Sequence, residues 1–354
     1  MSLPFLQPYF GLSNSLQTAQ ASGGVGGWVE LGRTTAGGAS TTMTVSSIAD
    51  KRYYMVLYLD KGMAGAPARV TTFNADTGST YAWRYSFMGA ADGTLVSTTN
   101  LNAWAVNDEE PQFAVQYISN LATKEKLMIS HSVAQDAAGA GNAPPRGEFV
   151  GKWSNTANAI SSLTVTCTSN FNSGDEVVVL GWDPADTHTN NFWTELASVE
   201  TFSVGANIDS GVFTAKKYLW VQAYFKATGG TVAPWLRLGN TTIDTGSTYA
   251  WRHSGNGGAD STGITQTSSP VLQAAVSTPS FVNMFIINNS ANEKLVFGSS
   301  ISQSTAGAGT APTRAEFAIK WANTSAQCNI VGFFDNGGTG DFATDCKIKV
   351  WGSN

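Results

Sequence analysis

One nine-residue phrase occurs twice. Asp76-Thr77-Gly78-Ser79-Thr80-Tyr81-Ala82-Trp83-Arg84 returns letter for letter as Asp244-Thr245-Gly246-Ser247-Thr248-Tyr249-Ala250-Trp251-Arg252, 168 residues later. The same offset relates Gly89-Ala90-Ala91-Asp92 to Gly257-Gly258-Ala259-Asp260, Glu125-Lys126-Leu127 to Glu293-Lys294-Leu295, and Lys152-Trp153 to Lys320-Trp321. An offset held over that span means a tandem duplication. Two copies are too few for a solenoid, in which each repeat buries its face on the next. Each copy is therefore expected to enclose its own core. The chain of 354 residues divides into an arm, 1–27, a first copy, 28–184, and a second, 191–354, with 183–191 as the linker.

Neither copy shows a convincing amphipathic helix. The run 53–59 is dense in β-branched and aromatic residues and is bounded by charge and glycine. In its partner, Leu219, Val221, Ala223 and Phe225 fall on one face of a period-2 pattern. The stretch 146–153 alternates most clearly. Gly147, Phe149, Gly151 and Trp153 share one face, and Arg146, Glu148, Val150 and Lys152 the other; 314–321 repeats the pattern. The Arg-Glu-x-Lys row reads as a solvated face of weak ion pairs. Short strands separated by Gly, Asn, Asp, Ser and Thr at intervals near ten residues predict an all-β protein. The expected architecture is two tandem jelly-roll-like β-sandwich domains preceded by an extended N-terminal arm.

That arm holds Phe5, Leu6, Tyr9, Phe10 and Leu12, five large apolar side chains, with Pro4 and Pro8 barring regular structure. A solvated tail is the ordinary expectation for a terminus. So many apolar side chains favour an arm that docks on a neighbouring subunit. The arm lacks the positive charge of a signal peptide, so secretion by that route is not expected.

Composition narrows the functions. Charged residues are 13% of the chain and the net charge is −5, so the basic field that nucleic acid requires is missing. No apolar run approaches the length of a membrane-spanning helix. Cys167, Cys328 and Cys346 are odd in number and do not occupy matching places, which argues against a disulfide framework or zinc site. They read as buried thiols in a reducing compartment. His131, His188 and His253 have no histidine counterparts and no ligand spacing, so no metal or cofactor is expected.

Two constellations remain. Asp-Thr-Gly-Ser in each half resembles the bilobal aspartic proteases, whose paired carboxylates share a proton; Asp76 and Asp244 would be that pair. The apolar strand, flap tyrosine hairpin and pro-segment of that family are missing, and its lobes are usually far less alike. Asp-x-Gly-Ser is also an ordinary tight turn. Tyr81, Trp83, Arg84, Tyr249, Trp251 and Arg252 could stack on and bond to glycans. The plainer expectation for such aromatics is core.

Trp28-Val29-Glu30-Leu31-Gly32-Arg33, the Asp-Thr-Gly-Ser-x-Tyr-Ala-x-Arg phrase, and Ala-Gly-Ala-Gly-x-Ala-Pro-x-Arg followed by Lys-Trp-x-Asn-Thr resemble β-domains in structural proteins of tailed phages. The resemblance covers both copies. It implies a non-enzymatic virion protein assembled in the host cytoplasm. A capsid-surface decoration, cement or head-fibre role is expected, with the major capsid protein or another virion protein as partner. Closure into a homo-oligomer, a trimer by default, is expected with it. The alternative is a tail adhesin that holds host glycans.

Overall fold

In the computed structural model the described residues are 27–354, apart from 64, 66–67, 103, 105–108, 187–190, 202, 304 and 306. The arm side chains Phe5, Leu6, Tyr9, Phe10 and Leu12, and His188 in the linker, lie outside the described residues. The described residues contain strands and no helix.

Copy one contributes β1 (Val29–Thr35), β2 (Thr42–Val45), β3 (Tyr53–Asp60), β4 (Arg69–Phe73), β5 (Tyr81–Phe87), β6 (Gly93–Thr98), β7 (Gln112–Ser119), β8 (Lys126–Ala134), β9 (Arg146–Trp153), β10 (Leu163–Cys167) and β11 (Glu176–Trp182). Copy two begins with β12 (Thr194–Glu200), β13 (Asn207–Asp209), β14 (Tyr218–Phe225), β15 (Ala227–Thr228), β16 (Pro234–Asn240), β17 (Thr242–Ile243), β18 (Tyr249–Gly255) and β19 (Ser261–Gln266). It ends with β20 (Ser269–Pro270), β21 (Ser280–Ile287), β22 (Lys294–Ser302), β23 (Thr313–Trp321), β24 (Ile330–Asp335), β25 (Asp341–Phe342) and β26 (Lys347–Ser353).

Each copy is a two-layered antiparallel sandwich with unequal layers. The large sheet of copy one has eight strands in the order β1-β11-β3-β7-β8-β9-β5-β6, and that of copy two runs β12-β26-β14-β21-β22-β23-β18-β19. The small layers are β2-β10-β4 and β13-β24-β16-β17. No strand of one copy pairs with a strand of the other among the described residues. Even the irregularities match: both copies break register in the first strand and again between the Tyr and Trp of the repeated phrase.

Alternation places the cores. In β14, Leu219, Val221, Ala223 and Phe225 face the small sheet and belong to the copy-two core, as the period-2 reading predicts. In β3 the equivalent face is Tyr54, Val56 and Tyr58, packed with Phe73, Leu163 and Val165. Each large side chain so enclosed stabilises its copy by about 1.5–3 kcal/mol.

A third core lies between the copies. Met55, Leu57, Leu59, Phe113, Val115 and Val133, on the outer face of the large sheet of copy one, pack against Phe192, Trp193, Tyr218, Phe285, Ile287, Leu295 and Phe297 of copy two. The molecule therefore has four layers, small-large-large-small. The 183–186 segment forms a turn tied to copy one through Lys51 and Asp186, so the part of the linker that is described belongs to a packed unit.

This corrects the solvated-face expectation for the Arg-Glu-x-Lys rows. The alternation is right, but both rows lie on the outer faces that the copies press together. Arg146 is buried and its Nη2 and Nε donate to Asp260 at 2.7 and 3.1 Å. Lys320 is wholly buried and its Nζ donates to the carbonyls of Gln135 and Ala137 at 2.9 and 2.5 Å. Their counterparts Arg314 and Lys152 remain in water, with side chains 59% and 46% exposed. Equal letters thus meet unequal surroundings, because the contact is not symmetric.

Candidate functional site

The asymmetry defines the site. Copy two buries the end of its outer face that holds Tyr218, Phe285, Leu295, Phe297 and Ala318. Copy one buries the opposite end, Leu57, Leu59, Phe113, Val115 and Val133. Matching strand register makes Tyr53, Tyr117, Leu127, Ile129 and Val150 the copy-one equivalents of the buried copy-two set. Tyr117 is part-buried beside Trp28, whereas among the described residues nothing covers Leu127, Ile129 or Val150. Leu127, Ile129 and Val150 are 56%, 54% and 48% exposed.

These residues form the floor of an open, almost wholly apolar groove of about 820 Å³. One wall is aromatic. Trp28, just ahead of β1, lies 6.4 Å from the rings of both Tyr117 and Trp182, and Tyr53 stacks on Trp182 at 5.4 Å. The other wall is the β5–β6 hairpin, with Leu95 and Val96 at its rim. Polar groups stand at the margins: Lys152 donates to Glu125 at 2.9 Å, and Arg84 to Asp92 at 3.3 Å.

The free half of copy two is different in kind. The places of Leu57 and Val115 are taken by Gln222 and Asn283, and the Asn283 Oδ1 accepts from Trp220 Nε1 at 2.6 Å and Gln222 Nε2 at 3.2 Å. Amides thus stand among Tyr224, Phe281 and Ile301 on the free half of copy two, and the copy-one half-face is the more apolar of the two.

The residues singled out in the sequence go elsewhere. Asp76 closes a tight turn: Oδ1 accepts from Gly78 N at 2.8 Å, and Oδ2 from Thr80 Oγ1 at 2.8 Å and Trp153 Nε1 at 2.7 Å. Asp244 does the same with Gly246, Thr248 and Trp321. The Trp153 indole is the largest influence on the Asp76 carboxyl; desolvation opposes it, and the Gly78 and Thr80 donors add to it, so the net shift is below the ordinary carboxylate range. Burial pushes Asp244 upward, but Trp321, Gly246 and Thr248 outweigh it and the net shift is down. A shared-proton dyad needs one carboxyl raised; both here are held ionised by donors of their own copy.

Tyr81 and Tyr249 sit in the cores, 1% and 0% exposed, out of a glycan's reach. Their hydroxyls tie the turn down, accepting from Phe73 N and Leu238 N at 2.9 Å and donating to the Asp76 and Asp244 carbonyls at 3.1 Å. Trp83 and Trp251 are half-buried against those cores. Arg252 belongs to the contact between copies, donating to the Pro144 carbonyl at 3.1 Å, whereas Arg84 is exposed beside the groove. His131 faces the same contact, and burial, reinforced by Arg146, lowers it to about 4. The three cysteines are buried and unpaired. No cluster of metal-binding side chains occurs among the described residues.

Sequence reasoning does not single out the groove floor: it reads 53–59 as a strand and places Val150 on a solvated row. A signal existed: β3 is apolar on both faces, unlike a strand with one side in water.

No protein-family model matches the chain, and no curated protein matches it. Among solved structures, domains LG4-5 of the mouse laminin alpha1 chain overlay 98% of this chain and 93% of that one, at 11% identity and a TM-score of 0.20. The flagellar hook junction protein FlgK from Burkholderia pseudomallei covers 87% of this chain and 44% of its own, at 12% identity and a TM-score of 0.14. Overlays this loose carry neither fold nor function across.

Proposed function

We propose that this chain is a non-enzymatic structural protein, built into a larger assembly through surfaces it leaves open. The observation that carries this reading is the copy-one groove. A concave, mostly apolar surface of that volume is the usual form of a binding site, and the matching surface of copy two is already used for protein contact. The resemblance to virion β-domains gives the proposal its particular form: a capsid-surface decoration, cement or head-fibre protein of a tailed phage. Residues 1–27 would anchor it to the major capsid protein or another virion protein. Mass spectrometry of purified particles tests this, together with deletion of 1–27. Absence of the protein from particles overturns the reading, and a deleted form that still co-purifies removes the anchoring role of the arm.

A second reading, a tail adhesin for host glycans, is favoured by the ring cluster of Trp28, Tyr53, Tyr117 and Trp182 at one end of the groove. Glycan-array binding that disappears in folded Trp182→Ala or Trp83→Ala protein would establish it. The protease reading is not carried forward, since each candidate carboxylate is committed to its own turn.

A further inference from the structure

We propose that the copy-one groove is closed by the same groove of a second copy of this chain, making the protein a twofold dimer. This rests on reading the chain as an assembly protein and names its first partner.

The argument starts inside the molecule. Copy two carries the same half-face, and there a β-sheet of this protein's own fold covers it. The residues ahead of its first strand, Phe192 and Trp193, join that contact from the side, as Trp28 borders the groove in copy one. A sheet of the same fold, bordered by Phe192 and Trp193, is thus what covers this surface in copy two.

On the large sheets of a second molecule, two half-faces remain free. Repeating the internal contact would seat the free half of copy two on the groove. That contact is heterologous, so its repetition would close into a ring or run on as an open filament. The sequence disfavours it by placing Gln222 and Asn283 where Leu57 and Val115 make the internal contact. The groove itself is the more apolar alternative. Charges at its margin come in pairs of opposite sign, Lys152 with Glu125 and Arg84 with Asp92. Such a surface can meet its own image about a twofold axis without forcing like charges together. Twofold closure here replaces the threefold closure expected by default.

Sedimentation and light scattering of the full chain at micromolar concentration provide the test. The native chain should have the mass of two copies. Leu127→Glu with Ile129→Glu should weaken the dimer at least about a hundredfold, because four carboxylates would enter one apolar contact. Both side chains are more than half exposed, so the melting temperature should not move. Ile301→Glu, on the free half of copy two, should leave the dimer intact. A monomeric native chain, or a dimer indifferent to the double substitution, overturns the proposal. So does mass that grows with concentration and falls with Ile301→Glu, which is the ring or filament. A monomer that dimerises once residues 1–26 are removed also overturns it, by assigning the groove to the arm. A monomer that still co-purifies with particles removes the dimer alone. A dimer absent from particles removes the assembly reading alone.

Discussion

Asp260 and Asp92 are the same residue of the repeat in two environments, and removing each should separate a buried from an exposed ion pair within one molecule. Asp260 is 3% exposed and holds Arg146, itself 6% exposed, through two donors. Asp92 is 51% exposed and meets Arg84 through one donor at 3.3 Å. Stripping one partner from a buried pair costs about 3–5 kcal/mol, because the other charge is left in a medium that cannot solvate it. Arg146 keeps Glu148 and, at 3.8 Å, Glu316, which places the cost of Asp260→Ala at the lower end, about 3 kcal/mol. Asp92→Ala should cost under about 0.5 kcal/mol, the scale of a solvated pair.

Equilibrium unfolding in urea reads both. With a slope of about 3 kcal/mol per molar, Asp260→Ala lowers the midpoint by about 1 M and Asp92→Ala by less than about 0.2 M. Replacing both partners, as in Arg146→Met with Asp260→Leu, should recover part of the loss, since the orphaned guanidinium goes while Glu148, Glu316 and Arg252 lose a neighbour. Equal shifts for the two aspartates would refute the reasoning. So would a double variant no better than Asp260→Ala, because the deficit would then not come from an orphaned guanidinium.

The turns predict a pH dependence. Asp76 and Asp244 have folded pKa values below their unfolded values. Their contribution is therefore present above the unfolded value of about 3.9 and is lost as pH falls through the folded values. Asp76→Asn with Asp244→Asn should flatten the acid limb of a stability-against-pH curve and leave its neutral limb parallel to the native one. Tyr81→Phe should lower stability by about 1–2 kcal/mol, measured by thermal unfolding, because the buried Phe73 N–H loses its acceptor. Cys328 is buried and its thiol is pushed up to about 11 by that burial, so a maleimide should label it only after unfolding.

Much of the fold was legible because it depends on features a strand carries in itself. The alternation in 146–153 and in β14 named the core-facing side chains correctly, and Phe149, Trp153, Leu219 and Val221 are where period 2 puts them. The tandem sandwiches followed from the repeat. The contact between copies was not legible, because it depends on which half of one face meets which half of another. Arg146 and Arg314 occupy the same place in the same motif, yet one is buried against Asp260 and the other is in water. For the candidate site, the sequence pointed at Tyr81 and Tyr249 because they are aromatic and repeated, whereas repetition there reflects a turn that each copy needs for itself. Of the groove residues, Leu127 lies in a repeated triplet and Val150 in an alternating row, but neither pattern marks a surface. These residues stand out only once the covered counterpart on copy two is known.

The self-contained turn from Asp76 to Tyr81 has a wider meaning. Every bond named for it ends on its own copy, and it survives in both halves unaltered. Outward positions have drifted: Tyr117 against Phe285, Ile129 against Phe297, Val150 against Ala318, Leu57 against Gln222, Val115 against Asn283. A gene that holds two versions of one module is its own record of divergence. Where the siblings disagree, the surface answers to a neighbour.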